Sequence, residues 1–141
     1  MDDLPRIIAL LAASGLPTDD VHACLPTMRV VQDSGRLIGV VGLEPYGRIG
    51  LLRSLVVSLE YRNRGVAQKL WGQIKTLALE LEIADIYLLT ETAESFFGTL
   101  GFVTIARDAA PQPIRESRQF TELCPASAVL MRQSLAGSME P

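Results

Sequence analysis

Residues 62–67 read Arg-Asn-Arg-Gly-Val-Ala, with two arginines and a glycine placed where an apolar run gives way to a helical repeat. The run, residues 51–58, is rich in Leu and Val and short enough for a buried strand. Val66, Leu70, Ile74, Leu77 and Leu81 then recur at helical spacing. The first turn of a helix leaves backbone N–H groups unpaired and carries the positive end of the dipole. This stretch therefore suits an anion such as pyrophosphate. Gly65 lets a bulky phosphate approach the backbone, and the N–H groups of Arg64, Gly65, Val66 and Ala67 can point at its oxygens. Arg62 and Arg64 add charge. The bland alternative is an ordinary strand-to-helix connection with two solvated arginines.

Arg53 and Ser54 interrupt the apolar run itself. An unpaired buried charge is costly, so Arg53 either faces a cleft, where it can pair with an acidic substrate, or forms a salt bridge to Glu44 or Glu91. His22 is the single histidine, which leaves Ser-His-Asp catalysis and a His-rich metal site with little support. Cys24 and Cys124 are too few and too far apart for metal-finger spacing and read as small apolar packers. No metal is expected.

The 141 residues fit a single domain, 1–135, followed by a disordered tail at 136–141. A net charge of −3 argues against a general nucleic-acid footprint, whereas Arg53, Arg62, Arg64 and Lys69 form a local basic cluster suited to a small anionic ligand. No apolar run approaches the ~20 residues of a membrane helix. Nothing indicates a secretory signal, so a reducing cytoplasm is the expected location. The hydrophobic share of 48% fits a buried sheet covered on both faces.

These residues need a frame to position them. Asp2, Asp3 and Pro5 predict a helix start with Ile7, Ile8, Leu10 and Leu11 as its apolar face, stopped by Gly15 and Pro17. Residues 18–24 predict a second, short helix. Residues 28–32 and 37–43 flank Asp33-Ser34-Gly35 as a hairpin, and Glu44-Pro45-Tyr46-Gly47 reads as the next turn. The strand at 50–58 and the long helix follow. Beyond them come a strand at 85–90, a helix at 93–100 stopped by Gly101, a strand at 102–106, a helix from Ile114 to about Leu123, and a last strand at 126–133.

The turn at 62–67, followed downstream by Phe96-Phe97-Gly98-Thr99-Leu100-Gly101-Phe102, resembles the GNAT acyl-CoA-dependent N-acetyltransferases. Residues 42–47, 51–57, 87–90 and 123–128 resemble a compact group of that family, the arsenic-resistance N-acetyltransferases. The resemblance implies an α/β fold with a mixed, mostly antiparallel sheet, helices on both faces, and a splay that admits acetyl-CoA. The family's usual first strand is reduced or absent here. The sheet edge that this leaves is exposed, covered by a helix, or filled by a second copy, a homodimer joined through the strand at 126–133 or the helix before it.

The implied activity is transfer of an acetyl group to a primary amine of a small molecule. The group suggests an amino-acid-like acceptor, either arsenical or phosphinothricin-like, and contact of Cys24 and Cys124 with a soft arsenic species is the alternative to their packing role. In the family the strand carried over to Leu55, Val56 and Val57 pairs with the pantetheine arm, and one N–H polarises the thioester carbonyl. Arg62, Arg64, Gly65, Val66 and Ala67 take the pyrophosphate. Thr90 stands where an Asn is common. Phe97 stands where many members have the Tyr that acts as acid, and Phe donates no proton, which leaves that role to water, Tyr46 or Tyr87. For the base the preferred residue is Glu44, at the end of a central strand, with Glu91 second, the bland alternative being that both are solvated turn carboxylates. If Arg53 faces the cleft, it and Ser54 serve the acceptor. A rival reading is an acyl-CoA-binding regulatory or scaffold protein that has lost turnover.

Overall fold

The computed structural model describes residues 4–13, 25–117, 120 and 128–135. The expected helix at 18–24, His22, Cys24, Cys124 and the tail at 136–141 lie outside the described residues. The chain divides into two compact units, residues 1–44 with 54–77, and residues 45–53 with 78–141. Six strands, β1 (Met28–Asp33), β2 (Arg36–Tyr46), β3 (Ile49–Val57), β4 (Asp85–Thr90), β5 (Val103–Ile105) and β6 (Val129–Ser134), are hydrogen-bonded in the order β1-β2-β3-β4-β6-β5, a mixed and mostly antiparallel sheet.

The first unit opens with helix α1 (Leu4–Ala13), which buries Ile7 and Leu11. Strands β1 (Met28–Asp33) and β2 (Arg36–Tyr46) form the predicted hairpin around Ser34 and Gly35, both at positive φ. Residues 37–43 are buried without alternation, the pattern of a strand covered on both faces. The neighbours of consecutive residues bear this out, because side chains alternate across a strand. Val40 packs with Ile7, Leu11, Met28, Leu37 and Val56, whereas Gly39 lies under Val66 and Leu70 of helix α2 (Val66–Glu80). An added Cβ at Gly39 would sit 2.9 Å from Val66 Cγ1 and 3.0 Å from Leu70 Cδ1, so the absence of a side chain permits the close approach.

The second unit holds the start of β3 (Ile49–Val57), β4 (Asp85–Thr90), helix α3 (Glu94–Thr99), β5 (Val103–Ile105), helix α4 (Gln112–Arg115) and β6 (Val129–Ser134). Its core gathers Leu51, Tyr87, Ala110, Ile114 and Leu130. Phe97 packs edge to face with Phe96 and Phe102, at ring separations of 5.4 and 5.8 Å.

Four expectations change. Glu44, Pro45 and Tyr46 belong to β2; the turn is the pair Gly47 and Arg48, with Gly47 at φ +70° as a two-residue hairpin turn demands. Pro45 is tolerated because the β1 ladder ends at Met28↔Gly42, before its missing N–H is needed. The helix expected from Ile114 begins earlier, at Gln112, and its described α-helical residues end at Arg115, where the Ser117 hydroxyl donates to the Ile114 carbonyl (2.7 Å) and accepts from Phe120 N–H (3.3 Å); residues 118, 119 and 121–123 of the expected helix lie outside the described residues. Leu81 lies past the end of α2 and is 41% exposed. Finally, β6 pairs with β4 on one side and, at residues 130–132, with β5 on the other, so among the described residues the sheet edges are β1 and β5; the other expected joint, the helix before β6, lies largely outside the described residues.

Candidate active site

In the first unit, β3 hands over to α2 through a 3-10 turn, Leu59–Tyr61, and the exposed residues Arg62, Asn63, Arg64 and Gly65. Asn63 and Gly65 take left-handed backbone, φ +64° and +81°. Lys69 N–H donates to the Gly65 carbonyl (3.0 Å), which makes Gly65 the cap of α2. The four N–H groups with no intrahelical carbonyl are thus those of Gly65, Val66, Ala67 and Gln68. That set is displaced by one residue from the sequence expectation: Gln68 joins it and Arg64 leaves it. A Cβ at Gly65 would meet nothing within 4 Å, so its backbone conformation is what selects glycine.

The two arginines of this turn are held differently. Arg62 Nε donates to the Val57 carbonyl (3.2 Å), tying the turn to the end of β3, while the Arg64 guanidinium lies 5.5 Å from the Tyr61 ring centroid. Tyr61 donates its hydroxyl to Asp33 Oδ2 (2.7 Å), and Arg36 bonds Glu60 Oε1 (2.6 Å). The hydrogen bond to the Asp33 carboxylate, with lesser help from burial, raises the Tyr61 hydroxyl above the usual tyrosine range.

Strand β3 changes character at Ser54, whose φ of +60° is left-handed in the middle of the strand. Such a conformation costs roughly 1–2 kcal/mol for a residue with a side chain. Before it, residues 50–53 are all buried, including Arg53 at 4% exposure. After it burial alternates: Leu55 and Val57 are half-buried, and Val56 packs in the core. The β3–β4 ladder consists of Ile49↔Asp85, Gly50↔Ile86 and Leu51↔Tyr87, so Leu55, Val56 and Val57 lie beyond it. Sequence marked Ser54 as a polar residue in an apolar run; its left-handed backbone had no signal there.

The predicted site residues divide between the units. Glu44, Ser54, Leu55, Val56, Val57 and the turn from Arg62 to Ala67 fall in the first; Tyr46, Arg53, Tyr87, Thr90, Glu91 and Phe97 fall in the second. Glu44 is half-buried and Glu91 exposed; both, like Tyr46, Arg53 and Ser54, have interaction partners. Thr90 Oγ1 accepts from Ala93 N–H (3.0 Å), which caps the turn into α3. Tyr87 is buried at 8% exposure. Tyr46 lines an open pocket of about 510 Å³ with Gln112, Pro113, Glu116 and Ser117, a concavity with no sequence signal. Among the described residues no group of three His, Cys, Asp or Glu could hold a metal ion, and no helix is long and apolar enough to cross a membrane.

Residues 25–104, more than half of the chain, match the model of the acetyltransferase (GNAT) domain family. The chain belongs to the GNAT acetyltransferase family. Its fold is similar to that of N-acetylglutamate synthase from Neisseria gonorrhoeae, solved with coenzyme A and N-acetyl-glutamate: TM-score 0.83, 19% identity, 96% of this chain covered. This GNAT chain spans only 33% of that enzyme. Rv2747 from Mycobacterium tuberculosis, solved in complex with CoA, is similar at TM-score 0.80 and 16% identity over 94% of each chain. An aminoglycoside 6'-N-acetyltransferase complexed with coenzyme A follows at TM-score 0.72 and 15% identity, over 94% of this chain and 90% of that one. No curated protein matches the sequence.

Proposed function

We propose that this chain transfers the acetyl group of acetyl-CoA to a primary amine of a small molecule. The observation that carries the reading is the opening of α2: four N–H groups with no intrahelical carbonyl, at Gly65, Val66, Ala67 and Gln68, behind a left-handed glycine and beside Arg62 and Arg64. The CoA bound by the structural neighbours supports the co-substrate. Leu55, Val56 and Val57, beyond the β4 ladder, supply backbone groups for the pantetheine arm and an N–H for the carbonyl oxygen. The same reading assigns Thr90 and Phe97 to the cofactor and Arg53 and Ser54 to the acceptor.

The amine nitrogen attacks the thioester carbonyl carbon, and negative charge gathers on its oxygen. A carboxylate takes the amine proton; Glu44 is the first choice and Glu91 the second. The C–S bond breaks, and the thiolate takes a proton from water or from Tyr46. The N-acetyl-glutamate of the Neisseria structure supports an amino-acid-like acceptor, and the sequence likeness to the arsenic-resistance group supports an arsenical or phosphinothricin-like one. The same reading treats residues 1–135 as one domain working in the cytoplasm, with a second copy as its partner.

One observation favours a second reading, acyl-CoA binding without turnover. Phe97 is 8% exposed, packed between two aromatic rings, and has no proton to donate. Thiol release separates the two: an amine panel that liberates free CoA supports the enzyme, whereas binding without release at any amine supports the silent protein.

A further inference from the structure

No residue of 59–65 is buried, and Leu59 is 75% exposed, so the segment that delivers α2's first turn has no apolar anchor of its own. Its ties to the β1–β2 hairpin are polar. The last residue of β1, Asp33, accepts from Tyr61 Oη at 2.7 Å. The first residue of β2, Arg36, bonds Glu60 at 2.6 Å. One backbone bond adds to these, from Ser58 N–H to the Ile38 carbonyl at 2.7 Å. Tyr61 in turn carries the Arg64 guanidinium against its ring.

We propose that Asp33 and Arg36 are positioning residues for acetyl-CoA: through Tyr61 and Glu60 they latch the hairpin to residues 59–65 and fix where Arg64 and the α2 N–H groups stand. The proposal rests on the functional reading above. The physical argument is one of preorganisation. A turn made of exposed residues with two left-handed positions samples many backbone states when untied, and binding an anion must then select one of them. Two side-chain links from the hydrogen-bonded β1–β2 hairpin remove that freedom before the ligand arrives. Each link is surface-exposed, with the Arg36 and Glu60 side chains 59% and 62% accessible, so each carries a modest share. Their joint loss is worth about tenfold in affinity by the usual scale of such pairs.

The test is calorimetric binding of acetyl-CoA together with steady-state kinetics on the full chain. Asp33→Ala and Arg36→Ala each raise the acetyl-CoA Kd two- to fivefold by the same scale, and the pair raises it about tenfold. The KM for the amine and kcat stay within about twofold, a split that a general loss of structure does not produce. Tyr61→Phe keeps the ring under Arg64 and matches Asp33→Ala. Asp33→Asn, whose amide oxygen still accepts the hydroxyl, and the reversed pair R36E/E60R restore affinity. Wild-type affinity in the double alanine variant overturns the proposal, as does an equal fall in kcat across the series. Failure of the wild-type protein to bind acetyl-CoA removes the functional reading first and the latch with it.

Discussion

Glu44 carries the base in this account because of where its strand ends. It sits near the end of β2, half-buried, in a chain whose single histidine is His22. Glu44→Gln keeps the shape and removes the basicity, so turnover should fall by roughly 100- to 10,000-fold while acetyl-CoA binding stays unchanged. Unchanged turnover passes the role to Glu91. Tyr61 gives a second prediction at this scale. Its hydroxyl is held protonated by Asp33, so its folded pKa lies above the unfolded value near 10. The contribution to stability is full below that unfolded value and is lost as pH rises through the folded one. Absorbance titration should show Tyr61 ionising late, and Asp33→Ala should return it toward the ordinary range. The side chains of the 62–67 turn were legible because two arginines and a glycine interrupt an apolar pattern. Tyr61 was not, since its role depends on Asp33, 28 positions away.

At the scale of elements, periodicity located most of the frame. The hairpin, β3, α2, β4 and the short helix before Gly101 each carry a local signal in spacing or turn chemistry. The misplacements come from forces that spacing does not encode. Ser117 diverts the Ile114 carbonyl just past Arg115, the last described α-helical residue of α4. Pro45 reads as a turn residue until the ladder beside it is known to end at Gly42. Gly39 was hidden inside an apolar strand, although a glycine within a strand is itself a sign of close approach. Gly39→Ala should force Val66 and Leu70 outward and lower stability by about 1–3 kcal/mol. Denaturant unfolding measures this, and because Val66 belongs to α2's first turn, acetyl-CoA affinity should fall as well. Wild-type stability in this variant would show that α2 shifts freely over β2.

For the whole molecule, family membership follows from pattern over more than half the chain, while acceptor identity depends on pockets that no motif encodes. The sheet order leaves β1 and β5 as edges, and β5 is three residues long. A homodimer by strand addition should therefore use β1; light scattering at high concentration that reports a monomer removes it. The central claim is that acetyl-CoA binds and is turned over. At a hundred times its Kd, a ligand adds about 2.7 kcal/mol to folding. For a domain of this size that raises Tm by roughly 5–10 °C. The decisive measurement is thermal unfolding with acetyl-CoA, followed in the same samples by free-thiol release on adding amino-acid-like amines. The account predicts that rise in Tm and thiol released only when an amine is present. An unchanged Tm at saturating acetyl-CoA would contradict it.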